Sequence, residues 1–448
     1  MLEHILASNI RKHLDQHNIL SQFQHGFRKK HSCETQLLST IEDLARSLDK
    51  REQIDCLILD FSKAFDSVPH QRLLHKLGWY GINGEAHKWI GNWLTGRKQT
   101  VMVDGETSEE ANVSSGVPQG TVLGPLLFIL YINDIGDGTT STLRLFADDA
   151  LIYRKISSES DATALQADLD KLIEWSTKWQ MRFNPSKCSL LRVARNRNTT
   201  KANYQMMGTT LEQNEHHPYL GVEIASGLEW KQHVNNISNK ARRTLNFLQR
   251  NLHRCPQKVR KQAYTSLVRP TLEYASTVWD PHHQREITQL EQVQRKAIRF
   301  MAKNYRRRAS VTEMRTNLGF QTLQARRQTQ RLTMLYRVHN QLVCVEMPPC
   351  YTPRHTTSQM ETRSKHGEQY TNISTRTDCY KYSFFPRTIS AWNQLPSATI
   401  QAPSAQSFNN RVSKMDFSKI SGLYIGPRAP PADINLLVNT KQVNVNAL

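Results

Sequence analysis

Apolar and polar positions along the chain change rhythm near residue 230. Ahead of that point, short β-prone runs alternate with helical stripes. "CLILDF", residues 56 to 61, is apolar at successive positions and predicts a buried strand. "LRLFADDALIYR", residues 143 to 154, sets Leu143, Leu145 and Phe146 against Leu151, Ile152 and Tyr153, which predicts two short strands joined as a hairpin. "LGPLLFILYINDI" reads as a buried helix and "TSEEANVSS" as a connection. After "SSESD", whose Ser and Asp suit a helix start, Leu165, Leu169, Leu172, Ile173 and Trp179 recur at helical spacing. "CSLLRV" and "YLGVEI" predict two more strands. The layout expected is α+β, with helices backing one face of a small antiparallel sheet.

Beyond Trp230 the pattern becomes one of long helices. Val234, Ile237, Ala241, Leu245 and Leu248 make one stripe, and Ile287, Leu290, Val293, Ala297 and Met301 another. From about residue 346 the chain turns polar and rich in Thr, Ser and Pro, apart from "SFFPRTISAWNQLP" at 383 to 396. That tail is expected to be loosely folded. No internal repeat is visible.

Length changes this picture little: 448 residues leave room for two or three domains. The longest apolar stretch, Val122 to Ile132, is shorter than the roughly 18 residues of a membrane span. The start, "MLEHILASNIRKHLDQ", lacks a signal-peptide layout. The chain is therefore read as soluble and intracellular, with no membrane partner. Seven cysteines are scattered without a C-x-x-C, which argues against a disulfide scaffold or a zinc knuckle. The pairs His216-His217 and His282-His283 diverge on either a helix or a strand, so neither is read as a metal site.

Charge changes the picture more. The formal net charge is +20, and its placement is uneven. Residues 1 to 224 hold 25 Lys and Arg against 27 Asp and Glu, whereas residues 225 to 345 hold 23 against 6. Arg242, Arg243, Arg295, Lys296, Arg299 and Arg306 to Arg308 punctuate the long helices. Such a field suits a polyphosphate partner.

Candidate chemistry starts with Asp148 and Asp149, side by side in an otherwise apolar run. Burying two like charges is costly, because desolvation and repulsion both disfavour the ionised forms, so a cation is expected to offset them. Asp is also a common turn residue, and from this window alone that is the simpler reading. Asp60 shifts the balance. It ends "CLILD", where a sheet offers its strand ends to a cleft; alone it would read as a cap for "SKAFDSV". Three acids on neighbouring strand ends suit two Mg²⁺ ions. Those ions favour a few carboxylate oxygens plus substrate phosphates and, about 4 Å apart, stabilise the attacking and leaving oxygens of phosphoryl transfer. Between the acids lies "SSGVPQGTVLGPLLF", where Gly116 and Gly120 allow close backbone approach and Pro118 stiffens the loop.

Taken in order, "LDFSKAFDSVPHQRLLHKL", "SSGVPQGTVLGPLLFILYINDI" and "LFADDALIY" resemble motifs A, B and C of reverse transcriptases from non-LTR retrotransposons (LINEs), nearest to the jockey-like type. "NPSKCSLL" is similar to motif D, and "YLGVEI" to the primer-grip motif E. The likeness covers about residues 1 to 345, with a weaker echo in "FFPRTISAWNQLP". It implies a right-hand polymerase: partial fingers and palm over 1–224, a basic helical thumb over 225–345, and a less ordered tail with a small apolar patch over 346–448.

By motif position, the resemblance makes Asp60, Asp148 and Asp149 the metal-binding acids, with the carbonyl of Phe61 as a further ligand. Two Mg²⁺ ions are implied, with Mn²⁺ as the alternative ion. Phe65 stands where the family places a steric gate under the sugar of the incoming nucleotide; it reads equally as a core Phe. The gate favours dNTP substrates because a ring against C2′ leaves no room for a 2′-hydroxyl. Gln119 and Gly120 would lie against the nascent base pair. Lys187 matches the motif D lysine that protonates the leaving pyrophosphate; an exposed loop lysine is the plainer reading.

Nucleic-acid contacts are implied for Arg28 in "QHGFRKKHS", for Tyr219, Leu220 and Gly221 in the primer grip, and for Arg242 and Arg243 in the thumb. The Arg28 segment reads equally as a solvated basic turn. The activity implied is that of an RNA-directed DNA polymerase extending a DNA primer on an RNA template, in the nucleus. Relatives carry an endonuclease and more of the fingers ahead of a stretch like "MLEHIL", so the fingers are expected to be incomplete and target cutting to come from another protein. The alternatives left open are a truncated element product that binds nucleic acid without turnover, and a group II intron-type maturase.

Overall fold

The computed structural model describes residues 1–195, 199–353 and 367–417. Its centre is strand β1, Gln53–Leu59, with all seven residues buried. Four more strands join it: β2, Thr142–Phe146; β3, Asp149–Ile156; β4, Ser189–Val193; and β5, Glu212–Asn214, in the order β5-β4-β1-β3-β2. β1 runs antiparallel to β3, pairing Leu59 with Ala150, and to β4, pairing Ile54 with Val193. The edge strand β5 runs parallel to β4, so the sheet is not wholly antiparallel as expected.

The expected one-sided sheet also needs correction. Ile54, Cys56 and Ile58 of β1 pack into one apolar core, and Leu57 and Leu59 into a second on the opposite face. An uninterrupted apolar run places buried side chains on both faces of a pleat, so both faces require cover. Helices α1, Leu2–Gln16; α3, His70–Trp79; α4, Leu123–Tyr131; and α5, Glu159–Lys178, cover the second face, and α2, Cys33–Asp49, covers the first. The expected start of α5 holds: Ser158 and Asp161 form a reciprocal capping box. Asp55, inside β1, is neutralised by Arg192, whose Nε and Nη2 lie 3.0 and 3.1 Å from its two oxygens.

"YLGVEI" is not a strand of this sheet. It spans the tight turn of a separate hairpin, β6, His216–Tyr219, and β7, Val222–Ala225, closed by Leu220 and Gly221 at φ +46° and +79°. Positive φ at both turn residues matches the twist of paired strands, so the pair reverses the chain before any longer strand forms.

The basic half folds as expected into long helices, α6, Lys231–Asn251, α7, Gln284–Ala302, and α8, Leu323–His339. Both forecast stripes face inward: Val234, Ala241, Leu245 and Leu248 are buried, as are Ile287, Leu290, Val293, Ala297 and Met301. The tail corrects its expectation over 367–417. Helices α9, Phe384–Trp392, and α10, Ala405–Val412, pack Trp392 and Phe408 fully out of solvent, and the Tyr336 ring of α8 stacks on Phe408 at 4.5 Å. This layer also ties back to α2. Asp49 Oδ1 accepts from Arg376 N–H and from the N–H and hydroxyl of Thr377, and the Tyr380 hydroxyl donates to Glu42 at 2.9 Å. A few large side chains, given a neighbouring core, suffice to order a segment whose average composition is polar. The forecast for 354–366 and 418–448 lies outside the described residues. Among the described residues, no helix is long and apolar enough to cross a membrane.

Candidate active site

β1 ends at Leu59, and the next residue is Asp60. Because Leu59 pairs with Ala150 and Phe146 with Asp149, Asp60 leaves the sheet beside the first residue of β3. Asp148 occupies the two-residue turn between β2 and β3, after Ala147 at φ +53°. Strand pairing thus brings to one sheet end two segments almost ninety positions apart in the chain.

The three carboxyls feel one another's charge. The Asp148 carboxyl is raised by burial and by the charge of Asp60. That of Asp149 is pushed up to about 6 by loss of solvent, then by Asp148 and Asp60, although the residue is open to solvent on its outer side. Asp60 Oδ2 is shut off from solvent and accepts no well-aligned hydrogen bond, while Lys187 Nζ stands 3.2 Å from it as an ion-pair partner. Among the described residues, no three His, Cys, Asp or Glu side chains close tightly on one metal-sized point. The trio is therefore an open, mutually repelling set. The raised carboxyls of Asp148 and Asp149, beside an Asp60 already paired with a cationic group, suit divalent cations whose remaining ligands come from a substrate.

The loop after Asp60 is fixed from below. Ser62 N–H donates to Arg182 O at 2.7 Å and Asn184 N–H to Asp60 O at 2.8 Å, and the rings of Phe61 and Phe183 stack at 4.3 Å. The backbone N–H and carbonyl of Phe61 itself take no part in this pairing, since the two bonds flanking it come from Asp60 and Ser62. Asn184 also begins the turn that carries Lys187, whose N–H donates to Asn184 O at 3.0 Å.

Phe65 is half-buried, stacked on Phe128 of α4 at 4.3 Å with the edge of Phe27 against it at 6.4 Å. Its carbonyl accepts from Val117 N–H at 2.8 Å, which fastens the Gly-rich loop to this segment. Gly116 makes the approach possible: a Cβ there would lie 2.8 Å from the Asp66 backbone, and its φ is +92°. Gln119 Nε2 donates to Asp66 Oδ1 at 3.0 Å, and Gln119 and Gly120 are both exposed. Glu3 Oε2 accepts from the N–H groups of Val122 and Leu123, so a side chain of α1 caps α4.

Arg28 Nη1 donates to Ser21 O at 2.6 Å and to Gln24 O at 3.1 Å, so one nitrogen of its guanidinium holds its own loop. Tyr219 is buried with its hydroxyl bonded to Gln36, and burial, then the charge of Asp149, push its pKa up, making the phenol a weaker acid. It faces the core near the acids, and Leu220 and Gly221 form the hairpin tip beside it, under the Tyr274 hydroxyl, which donates to Leu220 O at 3.0 Å. Arg242 and Arg243 lie on α6, outside the acid cluster, with Arg243 exposed. Gln24, Phe27, Gln36 and Glu3 were not singled out from the sequence. For Gln24 and Phe27 a signal existed, since both lie in or beside the "QHGFRKKHS" segment; for Gln36 and Glu3 there was none.

The reverse transcriptase (RNA-dependent DNA polymerase) family description matches residues 1–224. The chain belongs to that family. Among relatives, this reverse transcriptase chain is 27% identical over 311 residues to the RNA-directed DNA polymerase from mobile element jockey of Drosophila funebris, across 67% of this chain and 34% of that protein. It is 25% identical over 370 residues to the probable RNA-directed DNA polymerase from transposon BS of Drosophila melanogaster, across 78% of this chain and 40% of that protein. The chain thus spans about a third of the length of the curated relatives it matches. Among solved structures, apo telomerase from Candida tropicalis superposes with a TM-score of 0.39 at 10% identity, over 75% of this chain and 52% of that one. Reverse transcriptases generally use divalent metal ions, consistent with the open acid set at the end of β1.

Proposed function

We propose that this chain is the polymerase portion of a jockey-like non-LTR retrotransposon protein, an RNA-directed DNA polymerase that adds deoxynucleotides to a primer 3′-hydroxyl on an RNA template. The observation that carries the reading is the meeting of Asp60 with the Asp148-Asp149 turn at one end of the sheet, with carboxyls raised by one another and by burial. In this reading residues 1–224 are fingers and palm and 225–345 the thumb, both braced by the helices within 367–417.

Asp60, Asp148, Asp149 and the carbonyl of Phe61 would hold two Mg²⁺ ions, which when bound neutralise charge on the attacking and leaving oxygens. The protein's own groups do the positioning. Lys187, now paired with Asp60, is placed to give a proton to the pyrophosphate as it leaves. Phe65, braced by Phe128 and Phe27, presents a ring that excludes a ribose 2′-hydroxyl. Gln119, tethered to Asp66, and Gly120 line the exposed face of the loop on which the nascent base pair would rest. The basic helices α6 and α7 grip the template-primer duplex through its phosphates, without regard to sequence.

Primer extension on an RNA template tests this reading. The chain is expected to extend a DNA primer with dNTPs and Mg²⁺, and Asp148→Ala to abolish extension while duplex binding persists. Equal extension by the two proteins, or duplex binding without extension by either, would overturn the enzymatic reading.

A further inference from the structure

Residues 23 to 26 run along the edge of the sheet. Leu145 N–H donates to Phe23 O at 2.9 Å and His25 N–H to Leu145 O at 2.8 Å, making a parallel bridge between Gln24 and Leu145. This strap carries a fully buried amide to the turn that holds Asp148. Gln24 Oε1 accepts from Ala147 N–H at 2.9 Å and from Gly26 N–H at 2.7 Å, and Gln24 Nε2 donates to Ala147 O at 3.5 Å. Two backbone donors on one atom identify it as the oxygen, because a side-chain NH₂ cannot accept. The fit is tight: a Cβ on Gly26 would lie 2.4 Å from Ala147 N.

Ala147 needs such a hold. At φ +53° it sits in a conformation that L-residues other than glycine adopt only when their surroundings impose it. The next two residues are Asp148 and Asp149, so the peptide planes that Gln24 grips set the direction in which both carboxylates leave the backbone.

We propose that Gln24 is a positioning residue for the acid pair, its amide clamping both backbone polar groups of Ala147 so that Asp148 and Asp149 are held at the sheet end beside Asp60. The proposal rests on the reading of those three acids as the cation-binding set. Few side chains meet the requirement. Glutamine supplies the reach, an acceptor for two N–H groups and a donor for the carbonyl. Asparagine is one methylene short, glutamate keeps only the acceptor, and methionine keeps the shape and neither bond.

The test uses the full chain on an RNA template annealed to a dideoxy-terminated DNA primer, with the matching dNTP. Mn²⁺ is titrated and its free fraction read by electron paramagnetic resonance, and duplex affinity is read by fluorescence anisotropy on the same samples. Gln24→Met is expected to weaken Mn²⁺ binding about tenfold while duplex affinity stays within about twofold, as for other groups that orient metal ligands. Should Gln24→Met fail to fold, Gln24→Asn carries the same expectation. Mn²⁺ binding that requires Asp148, as judged by Asp148→Asn, yet is untouched by the folded Gln24 variant, overturns the proposal alone. Mn²⁺ binding indifferent to Asp148→Asn overturns the reading of the acids, and the proposal with it.

Discussion

Phe65 lies nearly flat on Phe128, the two rings 18° from parallel with centroids 4.3 Å apart, and Phe27 closes against its free edge. A ring so braced cannot swing aside for a bulkier sugar. Phe65→Val is expected to lower discrimination against ribonucleotides by about 10- to 100-fold in single-nucleotide insertion, the range over which a shape-selective pocket discriminates by packing. Unchanged dNTP:NTP selectivity would reduce Phe65 to a core residue.

Two raised carboxyls give the chain a signed pH dependence. Asp149 is pushed up to about 6 and Glu42, buried under Tyr380, up to about 7, each chiefly by loss of solvent. A carboxyl raised on folding binds protons more tightly in the native state, so its charge destabilises above the folded value. The penalty fades as pH falls through that value and is gone below the unfolded value near 4. Glu42→Gln, which keeps an acceptor for the Tyr380 hydroxyl, is expected to stabilise the protein by about 2 kcal/mol at pH 8. Asp149→Asn should add a smaller gain there, and both gains should close by pH 4. Melting curves across that window check this; a difference from wild type that does not vary with pH would show that neither charge is strained.

Trp392 and Phe408 make the tail structural. Trp392→Ala, which empties a fully buried site facing Phe408 and His339, is expected to cost about 3–5 kcal/mol in denaturant unfolding. A cost within about 0.5 kcal/mol, typical of an exposed position, would restore the loosely folded tail forecast from composition.

Arg243 is exposed on α6, and Arg242 bonds only weakly to Asn239, at 3.4 Å. Both are available to phosphate. Replacing both with Gln is expected to flatten the log–log salt dependence of duplex affinity by roughly 0.7–0.9 per lost contact. A slope equal to wild type would move the phosphate grip elsewhere.

Much of this molecule was legible from local pattern. β1, the hairpin β2-β3, α4, α5 and both apolar stripes of the basic half follow from short-range periodicity, because burial there depends on faces that each segment carries itself. The acid trio was legible because strand ends and chemistry coincide. What escaped notice depends on distant partners. Gln24 meets Ala147 across 123 positions, and no periodicity marks such a contact. β5, "EQN", is polar and three residues long, so nothing in its pattern announces a sheet edge. The two-sided sheet could have been inferred, since "CLIL" leaves no polar face for solvent.

The meeting of Asp60 with Asp148 and Asp149 bears the whole functional account. Single-turnover incorporation of one deoxynucleotide on an RNA template, comparing wild type, Asp60→Asn and the surface control Asp170→Asn, addresses it most directly. Asp60→Asn is expected to slow the chemical step by at least about a thousandfold, roughly 4 kcal/mol of lost transition-state stabilisation, with duplex affinity retained and Asp170→Asn at the wild-type rate. An Asp60→Asn protein that incorporates the nucleotide as fast as wild type would contradict the account.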